Sequence, residues 1–202
     1  MASNNSRTAT IERKTGETEI TLTLDLDGTG VCDVDTGNGF LDHMVSQISR
    51  HGLLDITLHA KGDLHTGWHH LVEDVAITLG RAFNEALGDA RGIRRMGHAI
   101  VPLDETLAMV SLDCSGRGYA VIETTLDEIM VETLPGSLVK HFFESFALEG
   151  KINLHAKIMA GVSPHHKAEA LCKALARSLR DALEPDPRAP SQIPSTKGTL
   201  SG

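Results

Sequence analysis

The segment His69-His-Leu-Val-Glu73 recurs as His165-His-Lys-Ala-Glu169, 96 residues further along this chain of 202 residues. Three other segments recur in the same order, at offsets of 88 to 98 residues: Asp55–Ala60 with Lys151–Ala156, Leu24–Gly28 with Leu112–Gly116, and His43 with His141. Matches that keep their order at a nearly constant offset indicate an internal duplication with small changes in loop length.

Hydrophobic periodicity predicts the same order of elements, β-β-α-β-α, in both halves. In the first half, apolar and polar residues alternate over Thr18–Leu26, and a short second strand is expected among the glycines at positions 28 to 39. The other first-half elements are a helix ending at Gly52, a strand over Asp55–Ala60 and a helix over His69–Leu87. The second-half elements are strands over Val101–Leu112 and Tyr119–Thr125, a helix introduced by Pro135, a strand over Lys151–Ile158 and a helix over His165–Leu183.

This pattern predicts an α+β fold, an internally duplicated two-layer sandwich. Each half is expected to be a mostly four-stranded sheet with two helices on one face. We expect the first half to span residues 1–97 and the second to span residues 98–184. Residues 185–202 hold four of the seven prolines, which disfavour helix, so we expect an irregular C-terminal arm carrying a phosphate-binding loop.

Composition restricts the class of partner. The formal net charge of −8 argues against nucleic acid or an anionic membrane as the main partner, so an anionic small substrate would need a local basic pocket. The sequence shows no apolar run of roughly 18 residues and no pattern typical of a signal peptide. Three scattered cysteines indicate a reducing compartment, and we expect a cytoplasmic protein.

Histidine is the unusual residue type, with 11 in the chain. In each His-His-x-x-Glu segment the first His and the Glu share a helix face, whereas the second His lies about 100° around the helix and points elsewhere. Adding the matched histidines upstream gives two sets of three His and one Glu, a plausible ligand set for a divalent metal with open positions. The candidate metal ligands are His43, His69, His70, Glu73, His141, His165, His166 and Glu169.

Paired histidines can also begin helices near a surface without binding metal, but repetition of the motif at equivalent helix starts favours the metal. Neither copy is His-Glu-x-x-His, so the metalloprotease motif is absent. The remaining histidines lack matched partners at ligand spacing and are interpreted as ordinary surface or core residues: His51, His59, His65, His98 and His155.

Basic residues beside glycine form a second group of candidates. Arg95 follows a glycine closely, Arg117 lies in Ser115-Gly-Arg-Gly118, and Lys197 lies in Pro194-Ser-Thr-Lys-Gly198. Such loops suit phosphate, because backbone N–H groups and a positive charge can approach it closely. Lys173 lies one turn beyond Glu169 on the same helix face. Taken singly, each of these residues is more simply interpreted as an ordinary solvated surface charge.

Over nearly its whole length, the chain resembles the imidazoleglycerol-phosphate dehydratase family. Beyond the paired-histidine segments, the resemblance lies in Phe40-Leu-Asp-His-Met44, Gly92-Ile-x-Arg-x-Gly97, Pro102-Leu-Asp-Glu105, Asp113-x-Ser-Gly-Arg117 and Pro194-Ser-x-Lys-Gly198. It implies a hydro-lyase of histidine biosynthesis that converts imidazole glycerol phosphate into imidazole acetol phosphate and water. The sequence departs from the family at Thr66-Gly-Trp68, where an acidic pair is common.

The resemblance also implies a site. It implies two divalent metal ions per active site, usually Mn²⁺, held by the eight candidate ligands. It implies a homo-oligomeric shell of 24 subunits built from trimers, with active sites between subunits. The implied catalytic residues are Glu17, as the acid/base, with Glu73 and Glu169. The implied substrate-binding residues are Glu17, Gln47, Arg95, Arg117, Lys173, Ser195 and Lys197.

Two other functions remain open from the residues alone. One is a hydrolase in which metal-bound water attacks a phosphate ester. The other is a structural or storage shell glued together by metal, although storage would not need the basic residues Arg95, Arg117 and Lys197. In the dehydratase, the departing proton has no adjacent carbonyl, so the imidazole ring must accept the electrons, and Glu17 is expected to shuttle the proton.

Overall fold

The computed structural model describes residues 7–200. The first-half elements are β1 (Thr8–Lys14), β2 (Thr18–Asp25), β3 (Cys32–Asp35), α1 (Gly39–Gly52), β4 (Asp55–Gly62) and α2 (His69–Leu87). The second-half elements are β5 (Met96–Leu103), β6 (Thr106–Asp113), β7 (Tyr119–Glu123), two short strands β8 (Met130–Val131) and β9 (Leu134–Pro135), α3 (Gly136–Glu149), β10 (Asn153–Ala160) and α4 (Pro164–Leu183).

The two halves contain sheets of identical topology. The first sheet has the order β1-β2-β4-β3 and the second has the order β5-β6-β10-β7. In each sheet the first three strands in this order pair antiparallel and the last strand pairs parallel to its neighbour. Two helices accompany each sheet, which confirms the internally duplicated α+β sandwich.

Each half has the four-stranded sheet that was expected, but the predicted order of elements along the chain lacked one of these strands, for physical reasons. The predicted order had two strands before the first helix of each half, whereas the structure has β1 in addition to β2 and β3. In β1 only Ala9 is buried, so its apolar alternation is weak. The single strand predicted over Val101–Leu112 was wrong. It is the hairpin β5–β6, which reverses near Asp104, where φ is 47° and the chain leaves the extended conformation.

The helices lie between the two sheets. Helix α2 packs on β1 and β2, and α4 packs on β5 and β6. Across the halves, α1 packs against α4 and α2 packs against α3, so both helix layers share one hydrophobic core. A Cβ on Gly97 of β5 would lie 2.0 Å from the Ser178 carbonyl oxygen, which shows how closely α4 approaches the sheet. This packing sets the relative positions of the helices that carry the paired histidines.

The paired-histidine helices begin differently. The Ser163 side chain caps α4 by accepting a hydrogen bond from the His166 backbone N–H, and Pro164 occupies the first turn. Helix α2 has Trp68 at its N-cap and no side-chain cap, and the indole packs against the core. Trp68 lies in the segment where the sequence departs from the family, and its ring contributes packing there.

The chain from residue 185 to residue 200 runs without helix, as a series of turns. It is tied to the chain before β5 by an isolated bridge between Ile93 and Pro185 and by backbone hydrogen bonds joining Gly92 to Asp186 and Gln192. Among the described residues, no helix combines the length and the hydropathy needed to cross a membrane.

Candidate metal centre

One ligand group joins α1 and α4. His43 lies on α1, and His165 and Glu169 lie one turn apart on α4. The Glu169 Oε2 atom lies 2.8 Å from His43 Nε2 and 3.1 Å from His165 Nε2. The three donor atoms all lie within 4.8 Å of one another. Two imidazoles and a carboxylate form a donor set suited to a divalent metal with open positions.

The second group joins α2 and α3. His69 and Glu73 lie on α2, and His141 lies on α3, with their donor atoms again within 4.8 Å of one another. The His69 and His141 rings stack with centroids 4.8 Å apart. The buried His141 Nε2 makes no hydrogen bond within residues 7–200, and a Glu73 carboxylate oxygen lies 3.4 Å from it. An unpaired buried nitrogen is costly, and coordination of a metal would satisfy it.

Each group combines the two halves of the duplication. His43 of the first half meets the motif of the second half, and His141 of the second half meets the motif of the first half. This exchange follows from the packing of α1 on α4 and of α2 on α3. Ligand pairing was therefore beyond sequence reasoning, because it depends on which helices pack across the duplication.

The second histidine of each pair points away from these groups. The His69 and His70 rings are tilted by 84°, and the His165 and His166 rings by 87°. Each of these two groups therefore holds two histidines and one glutamate, whereas the sequence suggested three histidines and one glutamate for each metal. A third set within residues 7–200, Glu17, Asp63 and His70, also has its donor atoms within 4.8 Å of one another. His70 and His166 belong to neither of the two His–Glu groups.

Both outward histidines meet carboxylates. His70 Nδ1 lies 3.1 Å from Asp63 Oδ1 and 3.7 Å from Glu17 Oε2. His166 Nδ1 lies 2.8 Å from Glu105 Oε2. Hydrogen bonds from His166 and from the Ser163 and Val162 backbone N–H groups hold the pKa of Glu105 far below its usual range. Hydrogen bonding to Glu105 raises the pKa of His166.

Lys173 and Gln47 extend the first group along its two helices. The Lys173 Nζ atom lies 2.6 Å from Glu169 Oε1. Burial raises the pKa of Glu169, but hydrogen bonds from Lys173 and His43 outweigh burial and hold this pKa at about 2. Gln47 lies one turn after His43 on α1, and its Oε1 atom is 3.1 Å from His51 Nε2. Burial lowers the pKa of His51, with Lys173 contributing.

The four residues expected at the phosphate line one cavity of about 520 Å³ between the C-terminal arm and the loop after β6: Arg95, Arg117, Ser195 and Lys197. Arg95 is held by two hydrogen bonds to Asp113, of 2.6 and 2.9 Å, and by one of 2.7 Å to the Pro194 carbonyl. Arg117 and Lys197 have no carboxylate within ion-pair distance in the described part of the chain. The cavity therefore presents positive charge available to an anion.

Sequence reasoning missed three carboxylates next to candidate ligands. Asp63 contacts His70, Glu105 contacts His166, and the Glu132 Oε1 atom lies 3.0 Å from His165 Nδ1. Asp63 directly follows β4, Glu105 lies in the β5–β6 turn and Glu132 lies between β8 and β9, so no helical spacing links them to the motif. The segment Pro102-Leu-Asp-Glu105 was a signal for Glu105, because it belongs to the family resemblance.

Comparison with known proteins identifies relatives and a solved structure of one family. A relative from Dehalococcoides mccartyi named imidazoleglycerol-phosphate dehydratase is 56% identical over 96% of this chain and 97% of its own length. One from a Roseiflexus species with the same name is 52% identical over 96% of this chain and 98% of its own. A crystal structure of the dehydratase from Staphylococcus aureus superposes with a TM-score of 0.80 at 31% identity, covering 89% of this chain and 99% of that chain. The family model described as imidazoleglycerol-phosphate dehydratase matches residues 36–179, and this chain belongs to that family.

Proposed function

We propose that the two His–Glu groups hold the metal ions of this hydro-lyase and that the arm cavity holds the phosphate of its substrate. The reaction removes water from imidazole glycerol phosphate and gives imidazole acetol phosphate, a step of histidine biosynthesis. The observation that carries the proposal is the convergence of His43, His165 and Glu169, and of His69, Glu73 and His141, at equivalent positions of the duplicated fold.

The proposed metal is Mn²⁺, with two ions in each active site. Each group within one chain supplies two imidazoles and one carboxylate. His70 and His166 point away from both groups, so we assign them to metals of neighbouring copies. This arrangement calls for a homo-oligomer with active sites between subunits, and a 24-subunit shell built from trimers fits it. A reducing, cytoplasmic location suits the three free cysteines, one of them exposed.

The chemistry of the substrate assigns roles to the remaining residues. When bound, the divalent metal acts as a Lewis acid that lowers the pKa of the N–H group of the substrate's imidazole and so favours the deprotonated, electron-rich form of this ring. Glu17 moves the proton of the carbon adjacent to the one that loses its hydroxyl. The Glu17 carboxylate lies beside His70, and half of the Glu17 side chain is exposed. Lys173 orients Glu169 through their 2.6 Å ion pair, and Gln47 contacts the substrate from α1.

Phosphate binding fixes the substrate against the proposed metals. Arg117 and Lys197 supply the positive charge, and the Ser195 hydroxyl supplies a hydrogen bond. Arg95 also holds the arm in place through the Pro194 carbonyl, because its guanidinium spans Asp113 and the arm. Holding one end of the substrate restricts the position of the ring, and such positioning is a large part of catalysis.

The test is the reaction itself. Protein loaded with Mn²⁺ is incubated with imidazole glycerol phosphate, and the products are identified by mass spectrometry. Imidazole acetol phosphate supports the proposal, free inorganic phosphate would support a phosphate-ester hydrolase, and no product would support a metal-bound shell.

The ligand assignment is tested by metal analysis. His141→Ala and His43→Ala should lower the manganese content of the purified protein. His155→Ala is the control, because His155 lies on the exposed face of β10 and should leave the content unchanged. Equal manganese content in all three variants would contradict the assignment.

A further inference from the structure

His70 and His166 share an arrangement that the duplicated motif does not explain. Each ring meets a carboxylate through Nδ1, and each carboxylate comes from outside the paired-histidine helix: Asp63 directly after β4 and Glu105 in the β5–β6 turn. These two positions are not equivalent in the duplication. The first-half counterpart of Glu105 is Glu17, in the β1–β2 turn, whose Oε2 atom is 3.7 Å from His70 Nδ1, whereas Asp63 is closer, at 3.1 Å.

The contact determines which ring nitrogen is available. An ionised carboxylate only accepts hydrogen bonds, so the proton of a neutral His166 must lie on Nδ1. The lone pair then lies on Nε2, which makes no hydrogen bond in residues 7–200, with an Asp104 carboxylate oxygen 3.9 Å away. A metal needs a deprotonated ring nitrogen, and a carboxylate on the opposite nitrogen fixes both the tautomer and the orientation of the ring.

We propose that Glu105 and Asp63 are positioning residues that hold His166 and His70 with Nε2 ready to bind a metal. The proposal rests on the proposed function, in which both histidines are metal ligands. It adds that each outward ligand is already oriented within its own chain, before another copy presents its metal group.

Glu105 permits the sharper test because both of its oxygens are engaged. Oε1 accepts hydrogen bonds from the Ser163 and Val162 backbone N–H groups, at 2.8 and 3.1 Å, while Oε2 faces His166. In Glu105→Gln, the side-chain oxygen must stay on these two N–H donors, so the amide NH₂ faces Nδ1. The NH₂ donates to Nδ1 and moves the ring proton to Nε2, which blocks the metal-binding nitrogen.

The experiment measures Mn²⁺ affinity of the full, assembled protein by competition with a fluorescent chelator. Glu105→Gln should weaken Mn²⁺ binding by about 10–100-fold, the usual effect of losing such a partner. Glu123→Gln is the matched control, because Glu123 is an exposed carboxylate paired with Lys157 at 2.6 Å. The Mn²⁺ affinity of this variant should match that of the parent protein. Glu105→Gln in a His166→Ala background should cause no further loss, because Glu105 acts through His166.

The outcomes separate this inference from the proposed function. If His166→Ala leaves Mn²⁺ affinity unchanged, His166 is not a metal ligand, and both its place in the proposed function and the positioning role of Glu105 are wrong. If His166→Ala weakens binding but Glu105→Gln does not, or if the two losses add, the positioning role is wrong while the ligand assignment stands.

A second readout keeps the inference testable if Glu105→Gln fails to fold. Asp63→Ala should also weaken Mn²⁺ binding, through His70, since it removes the carboxylate that contacts Nδ1. In either variant that folds, ¹⁵N NMR of labelled histidine in metal-free protein should show the affected ring changing from the Nδ1–H to the Nε2–H tautomer. An unchanged tautomer would overturn the proposal.

Discussion

Asp74 links α2, which carries proposed metal ligands, to the two strands on either side of Glu17, and its removal tests how the proposed site is supported. Asp74 is buried on α2, next to Glu73 in sequence. Its Oδ1 atom accepts hydrogen bonds from Arg13 Nε at 3.0 Å and from Nη2 at 2.6 Å, and its Oδ2 atom accepts one from the Thr18 hydroxyl. Glu17 lies in the turn between β1 and β2, which carry these two partners.

The cost of Asp74→Ala can be worked from these contacts. Breaking a buried ion pair from one side costs about 3–5 kcal/mol. The Arg13 side chain is 24% exposed and can recover some hydration, so we expect the lower end, about 3 kcal/mol. For a chain of this length, that corresponds to a fall in Tm of roughly 6–12 °C.

The assay is thermal unfolding by calorimetry at a fixed protein concentration, because assembly would make Tm depend on concentration. Glu149→Ala is the control, since its ion pair with Arg81, 2.7 Å long, is 36–47% exposed and should contribute less than about 1 kcal/mol. Asp74→Ala should also lower turnover while keeping the metal, because Glu17 loses its support. A Tm shift no larger than that of the control would refute the reasoning.

Four further changes have defined outcomes. Glu17→Gln should keep the manganese content and lower kcat by about 10²-fold or more, measured by product formation; near-normal turnover would remove Glu17 from the mechanism. Lys197→Ala should mainly raise KM through lost phosphate binding, and an unchanged KM would make it an ordinary surface charge. Gly97→Ala should lower stability by about 3 kcal/mol in urea unfolding, because its Cβ would lie 2.0 Å from a carbonyl oxygen of α4, whereas Gly16→Ala, with nothing within 4 Å, should be neutral. Asp55→Asn should lower the urea midpoint at pH 7, and the deficit should shrink as pH falls below about 4. Backbone N–H groups lower the pKa of Asp55, so its stabilisation is present above the unfolded pKa and is lost on acidification; an equal deficit at both pH values would contradict this account.

Local patterns predicted the helices well. Helix α2 spans His69–Leu87 as expected, and α4 starts one residue earlier than predicted and ends at Leu183. Apolar residues at a period of 3.6 were sufficient, because each helix buries one face and satisfies its backbone hydrogen bonds internally. Strands were less predictable: β1 is an edge strand with little buried apolar surface, and β5 and β6 are separated by a turn too short to interrupt the apolar pattern.

The candidate ligands were recognisable from the sequence because a spacing of four residues on a helix is a local property, and duplication repeated it. Their division into groups was not local, since His43 meets Glu169 and His141 meets Glu73 only after α1 packs on α4 and α2 packs on α3. The same holds for Glu105, which reaches His166 from a hairpin 61 residues away in sequence. Periodicity along the chain therefore specified the elements and the ligand types, whereas contacts between distant elements, which no periodicity encodes, decided which side chains share a site.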